Sequence, residues 1–530
     1  MKHLLIILFS FLITAATSAQ YTNVLIDNSH SPEEVSIVIN PKNLNQLVAG
    51  SNISNCHYST NGGLNWSWLN LTSTYGVYGD PIVMCDTMGY FYYFHLSNPS
   101  SGNWIDRMVC QKSTNAGVSW SNGTYTGLNY PKEEDKPGVV IDRKNNYIYI
   151  TWTEFDYYGT TNQSDSSRIL FSKSTDGGLT WSTPVRIDKL GGDCYDSDNT
   201  AEGAVPATGP NGELYVAWAG PKVRNSQYGI FLNKSTDKGV TWLANPIYVC
   251  DQPGGWDYNV AGIYRCNGLP ATCCDASNGP YSGNIYINWT DSAGVNDHDV
   301  KFIKSTNGGT NWSSVKRVNN DAAGKEQFFS WMTVDQYNGH IYIVFYDRRN
   351  YSDNNTDVYI ARSTDGGETF SNFVVSSSSF IPGQGTFFGD YNGITAYAGV
   401  VRPIWTRLVG GSLSIWTAIV NFTTGINNSG IEVPYEYKLS QNYPNPFNPS
   451  TTISYEIKQN SFVSLKVYDI LGKEIAVIEN SFKTAGRYEI NFLASEYNLS
   501  SGIYYYKITA RASGSPADDF SDTKMMVLTK

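Results

Sequence analysis

The stretch Lys173 to Ser182, KSTDGGLTWS, decides the fold of this chain, because the same punctuation returns five more times. The other copies begin at Tyr58 (YSTNGGLNWS), Lys112 (KSTNAGVSWS), Lys234 (KSTDKGVTWL), Lys304 (KSTNGGTNWS) and Arg362 (RSTDGGETFS). Each holds Ser-Thr-Asx, then a Gly three residues after the Thr, then an aromatic three residues further on. Asx side chains bond their own backbone and Gly supplies positive φ without steric cost, so the unit suits a tight turn between antiparallel strands. The closing Trp or Phe packs that turn against the next strand. Six copies 54 to 70 residues apart mean a repeat architecture, and the intervening segments must complete each repeat.

Ahead of each box lies an apolar strand, an Asx or Gly turn and an aromatic-rich strand, at residues 34–50, 80–94, 136–152, 203–218, 269–289 and 330–347. With the strands before and after the box, each repeat has four strands, the content of a propeller blade. Residues 385–422 carry one more set with no box and no fourth strand. TNVLIDN at 22–28 looks like the post-box strand TPVRIDK at 183–189. The N-terminal segment is therefore expected to supply the outer strand of the last blade, closing a ring of seven and removing exposed edges.

These decapeptides resemble the Asp-box, or BNR repeat, of sialidase-like β-propellers. The resemblance implies an all-β propeller; the count above makes it seven-bladed, with the six blades of sialidases as the alternative. It also implies a structural box, a hairpin on the rim away from the active site. The residues agree: Asn61, Asn115 and Asn307 alternate with Asp176, Asp237 and Asp365. A turn accepts either residue, whereas a catalytic carboxylate would not be replaceable by an amide.

Aromatics at 14%, charged residues at only 16%, 48 Gly and 38 Tyr fit many strands joined by tight turns. A net charge of −10 argues against nucleic acid as a partner, which would need a basic face. Residues 1–19 read as a signal peptide: Lys2 and His3, an apolar run from Leu4 to Ile13, then small residues to Ala19. That run is too short for a permanent anchor, so no transmembrane anchor is expected in the mature chain. Export makes disulfides permissible, and all eight Cys (56, 85, 110, 194, 250, 266, 273 and 274) lie in the propeller segment.

After a propeller assigned to 20–425 and a linker at 426–434, the composition changes. Three prolines, Pro444, Pro446 and Pro449, make the start of the next segment extended. Short alternating strands follow, separated by Gly or Asn turns, as in a small Ig-like β-sandwich over 435–530. VYDILGKEI, SGIYYYKI and the terminal KMMVLTK resemble the type A C-terminal sorting domain of type IX secretion cargo. That resemblance implies the type IX secretion machinery as a partner, and release from the cell or attachment to its outer surface.

Sialidases hold a substrate carboxylate with three convergent arginines, the first at the start of the first blade. Here that strand reads Glu33-Glu34-Val35-Ser36-Ile37, without Arg. Arg265, Arg348 or Arg349, and Arg407 lie near strand ends in later blades and could rebuild part of such a triad. The strand mouths are instead rich in carboxylates, among them Glu33, Glu34, Glu133, Glu134 and Glu326. Asp80, Asp135, Glu202 and Asp390 are the candidate acid/base or ligand-binding groups. A negative mouth repels a sugar acid and suits a neutral glycan or a cation. Asp193, Asp196 and Asp198, in the acidic loop 188–202, could offer oxygens to a structural calcium, although no cofactor is required. Trp256 and Tyr258, in the Gly-rich loop QPGGWDYN, could stack on a sugar. Trp104, Trp152, Trp218, Trp289, Trp331, Phe345 and Trp405 are read as inner- or middle-strand residues, mostly core.

These readings point to a secreted or surface propeller whose partner is an extracellular glycan or glycoprotein. A glycan-processing hydrolase of the sialidase-like superfamily and a non-catalytic adhesion or protein-binding propeller both fit. A true exo-α-sialidase is a third alternative.

Overall fold

The computed structural model describes residues 21–422 and 436–529, apart from 196, 225, 295–296, 460, 484–485, 498 and 513–518. The signal peptide and the linker 426–434 lie outside the described residues. The chain divides into two compact units, Met1–Asn421 and Phe422–Lys530.

Among the described residues, the first unit holds seven four-stranded antiparallel sheets and one two-stranded ribbon. The first strands are Ser36–Ile39, Ile82–Cys85, Glu133–Ile141, Glu202–Thr208, Ala271–Cys274, Gln327–Val334 and Gly393–Tyr397. Each touches the next, and the last touches the first, so they form a closed ring. The sheet beginning at Gly393 takes its fourth strand from the other end of the chain: Thr22–Asp27 runs antiparallel to Ser412–Asn421, with Val24 opposite Thr417. This is the pairing that the likeness of 22–28 to a post-box strand led us to expect. The sheets are consistent with a propeller.

All six boxes adopt one geometry. The Ser hydroxyl accepts from the amide of the second turn residue, at 2.9 Å from Gly178 to Ser174 and 3.0 Å from Gly63 to Ser59. The same hydroxyl donates to the Asx side chain, at 2.8 Å to Asp176 and 3.0 Å to Asn61. The Asx oxygen then accepts a backbone amide four residues on, from Thr180 at 2.9 Å and from Asn65 at 2.9 Å. Asp and Asn make the same acceptor bond, so the alternation costs the turn nothing. The residue before the invariant Gly is also left-handed, even where it is Ala116 (φ 62°) or Lys238 (φ 60°).

The cores lie between adjacent sheets. Middle strands such as Ile148–Phe155 and Ile341–Asp347 are buried along their whole length, because both faces meet a neighbouring sheet. Trp152, Trp289 and Trp405 fill these layers. Trp104 does not. It sits outside the strands, in the connection 97–107, and is 38% exposed.

The disulfide expectation is corrected: all eight cysteines are free. Seven are distributed over strands of several sheets, and Cys194 lies in a connecting segment. Cys110 belongs to the core between the second and third sheets, and Cys274 to that between the fourth and fifth. The neighbours Cys273 and Cys274 point to opposite faces of one strand. Burial pushes the Cys250 and Cys273 thiols up to about 12.

The second unit contains a three-stranded and a four-stranded antiparallel sheet. Strands such as Ser450–Ile457 alternate strictly between buried and half-buried residues, as expected when one face is covered. Ile453, Tyr455, Val463, Leu465, Tyr506 and Met526 meet in one core.

Candidate functional site

Seven first strands side by side enclose an axial cavity of about 240 Å³, walled by residues such as Ile37, Met84, Val139, Cys273, Met332 and Ile394. Polar chemistry is concentrated where these strands begin. Glu34 (φ 51°), Asp80 (φ 48°) and Lys136 (φ 49°) all hold left-handed backbone there. Such strain is unusual for non-glycine residues and tends to mark functional sites. It recurs because each chain segment must turn sharply into its first strand.

Lys136 is the hub. Its Nζ lies 2.6 Å from Asp390, 3.7 Å from Asp80 and 3.9 Å from Glu34, with its side chain only 11% exposed. The Arg265 guanidinium grips the other side of Asp390, with Nε at 2.9 Å from Oδ1 and Nη2 on Oδ2. Asn267 donates to the Asp390 carbonyl at 2.8 Å. Asn52 bridges two sheets: its Nδ2 donates to Glu34, and its Oδ1 accepts from the Asp80 amide at 2.9 Å. The Tyr391 ring lies 5.8 Å from Lys136 Nζ.

These contacts push the carboxyl groups apart in acidity. Burial, reinforced by the charges of Asp390 and Asp80, pushes Glu33 up to about 8. Burial and the Asp80 charge also raise Glu34 well above the ordinary carboxyl range, against the pull of Lys136. Burial opposes ionisation of Asp80 and Asp390 as well, but there it is outweighed. Lys136, aided by Arg265 at Asp390 and by hydrogen bonds from Glu34 and Asp135 at Asp80, holds both below the usual range. Lys136 keeps its charge because Asp390, Asp80 and Glu34 more than offset its burial. The mouth therefore holds protonated and ionised carboxyl groups side by side, the arrangement that separates a general acid from a base.

The structure brings Asp80, Asp390 and Arg265 into this cluster, with Asp135 at its edge, where Oδ1 accepts the Lys136 amide at 2.8 Å. Glu202 is fully buried at the start of its first strand. Arg349 and Arg407 are engaged elsewhere. Arg349 pairs with Asp347 at 2.7 Å and stacks on Tyr359, while Arg407 lies over Phe380 and Trp416 and donates to Ser378 at 3.1 Å. Arg348 is buried and donates to Thr356 at 3.1 Å.

Trp256 and Tyr258 point inward. The Trp256 indole donates to the Thr200 carbonyl at 3.4 Å, and Tyr258 stacks on His298 with ring centroids 4.2 Å apart. Asp193 accepts from Thr200 at 3.1 Å and Asp198 from the Asp257 amide at 2.7 Å, while Asp196 lies outside the described residues. No group of three or more His, Cys, Asp or Glu able to hold a metal occurs among the described residues.

Sequence reasoning named the acids but did not single out Lys136, Asn52 or Tyr391. The available signal was Lys136 itself, a cation placed directly before Pro137 where the first two sheets carry the acids Glu34 and Asp80.

Residues 147–382 match the family described as BNR repeat-like domain, and residues 441–515 match the secretion system C-terminal sorting domain. A xyloglucanase of Acetivibrio thermocellus is 26% identical over 314 residues, covering 56% of this chain and 32% of that protein. The chain thus spans about a third of that relative's length. An α-L-arabinofuranosidase of Fusarium graminearum aligns at 13% identity and a TM-score of 0.40, over 67% of this chain and 97% of that one. A Trypanosoma rangeli sialidase aligns at 11% identity and a TM-score of 0.38, over 84% of this chain and 83% of that one. The likeness to these two structures says nothing about substrate. The chain carries a BNR repeat-like domain and a type IX secretion C-terminal sorting domain, the latter implying secretion or cell-surface localisation.

Proposed function

We infer that this chain, a BNR-repeat propeller with a C-terminal sorting domain, is a seven-bladed secreted or surface-held protein that acts on neutral extracellular glycans at the mouth of its first strands. The observation that carries this reading is the Lys136 cluster, whose Nζ lies 2.6 Å from Asp390 and 3.7 Å from Asp80, with the Glu33 carboxyl pushed up to about 8 by burial and by the charges of Asp390 and Asp80. Glu33 supplies the proton that a departing sugar hydroxyl needs. Asp80, ionised and only 3.7 Å from Lys136 Nζ, accepts a proton from water or a substrate hydroxyl. Lys136 and Arg265 position Asp390, and through it the cluster.

A neutral substrate fits better than a sugar acid. Arg265 is already bound to Asp390, and Arg349 and Arg407 have partners outside the cluster. Similarity to a xyloglucanase supports a glycan as the ligand class. One observation favours binding without turnover: Glu34, Asp80 and Asp390 are 5% exposed or less, which leaves Glu33 and Arg265 as the more open members of the cluster.

The test is a paired screen of sialosides and neutral glycans, xyloglucan included, for reducing-end release and for binding. Hydrolysis of a neutral glycan that is lost in Glu33→Gln and Asp80→Asn supports the hydrolase. Binding without release supports an adhesion-type propeller. Turnover of a sialoside that disappears in Arg265→Ala would restore the sialidase alternative, and no response to either class would point to a protein ligand.

A further inference from the structure

Trp104 is the one tryptophan of the expected core set that the fold leaves 38% exposed in a connecting segment, and the packing around it is specific. Its indole packs against two tyrosines. The Tyr78 ring meets it edge-on at 5.8 Å and 88°, and the Tyr158 ring meets it at 5.8 Å and 77°. Tyr158 is braced in turn by Phe155 at 5.0 Å and 88°. Two near-perpendicular ring contacts hold the indole in place while it stays 38% exposed.

The backbone beneath is strained and tied down. Ile105, a β-branched residue, has φ 41° and is 1% exposed. Its amide bonds the Ser97 carbonyl at 2.9 Å, and its own carbonyl accepts the Glu134 amide at 2.7 Å. Asp106 is clamped by Ser97 at 2.7 Å and by both arms of Arg107. A left-handed conformation at a β-branched residue is costly, and these bonds hold the turn that follows Trp104 in place.

Short stretches of chain connect this aromatic group to the carboxylate cluster. Tyr78 precedes Asp80 by two residues, a span of at most about 7 Å of chain. The Tyr158 amide donates to Glu133 at 2.5 Å, three residues before Lys136.

We propose that Trp104, held upright by Tyr78 and Tyr158, is a stacking platform for a sugar ring of a neutral glycan whose next residues engage the Lys136-centred mouth. This rests on the functional reading above and adds the residue that recognises chain length. The occupant must offer an apolar face to the indole and hydroxyl donors to carboxylates. Lys136 and Arg265 already compensate Asp390, which disfavours a cation as the occupant.

The experiment measures binding of cello- and xyloglucan-derived oligosaccharides, two residues and six residues long, by calorimetry and intrinsic fluorescence. Trp104→Ala should weaken the longer ligands about tenfold, the scale of one lost aromatic contact, and leave the disaccharides within about twofold. Trp104→Phe should keep most of the affinity but lose the fluorescence change, a readout that a purely structural role would not produce. Near-UV circular dichroism of each variant verifies the fold. Unchanged hexasaccharide affinity in Trp104→Ala, alongside loss in Glu33→Gln, would overturn the platform and leave the functional reading standing. If the wild-type chain binds none of these oligosaccharides, both fall together.

Discussion

The Arg402 guanidinium donates from Nε to the Gly62 carbonyl at 2.8 Å, across 340 positions of chain. It thereby ties the boxless last sheet to the first box. Three of the boxes use a lysine for the same tie. Lys173 reaches the Lys238 carbonyl at 2.8 Å, Lys234 that of Gly308 at 2.7 Å, and Lys304 that of Gly366 at 2.8 Å. In each case the first residue of one box bonds the fifth residue of the next. Arg402 performs this task from a different strand because its sheet has no box to supply the lysine.

Arg402→Ala should therefore destabilise the first unit by about 3 kcal/mol. It removes a buried charged donor and strands the carbonyls of Gly62 and Val420, which it also bonds. Lys234→Met, at a more open site, should cost only about 1 kcal/mol. Denaturant midpoints compare the two, and equal small effects would remove the special role of Arg402 in closing the ring.

Asp176→Ala should lower stability by about 1 kcal/mol without altering glycan affinity, since the exposed carboxylate serves only Ser174, Leu179 and Thr180 of its own turn. Asp176→Asn should be nearly neutral, because Asn61 makes the same acceptor bonds. A stable Asp176→Ala variant that no longer binds glycan would contradict the structural role of the box.

Glu33 sets a pH dependence. Its folded value, about 8, lies above the ordinary 4.5, so between these two pH values the folded chain holds a proton that the unfolded chain has released. Stability contributed this way falls as pH rises through that window. Glu33→Gln should flatten the slope of melting temperature against pH there. The low-lying Asp390 acts in the opposite sense: its contribution is present above the ordinary carboxylate value and is lost on acidification. A Glu33→Gln profile superimposable on the wild type would show that Glu33 titrates normally.

Removing residues 435–530 should leave a folded first unit that is retained in the periplasm, because each unit has its own core and the sorting match lies wholly in the second. Cell fractionation with a melting curve on the retained protein tests both halves of this expectation. Normal delivery of the truncated chain to the surface or medium would refute the sorting role.

What the residues determined alone is local. Each box closes through bonds among Ser, Asx and Gly within ten positions, so KSTDGGLTWS is legible as a turn from its own ten residues. Strand alternation and the likeness of 22–28 to a post-box strand were legible for the same reason: they follow from side-chain period and turn chemistry. Acids at the strand mouths were visible too. Their meaning was not, because Glu34, Asp80, Lys136, Arg265 and Asp390 meet only when the first strands close into a ring. Whether a carboxyl at that mouth is protonated depends on burial and on a cation contributed by another sheet, neither of which is a property of its own segment. The cysteines and Trp104 make the same point. Thiol pairing and indole exposure depend on which sheet faces which, and only the tertiary structure decided that.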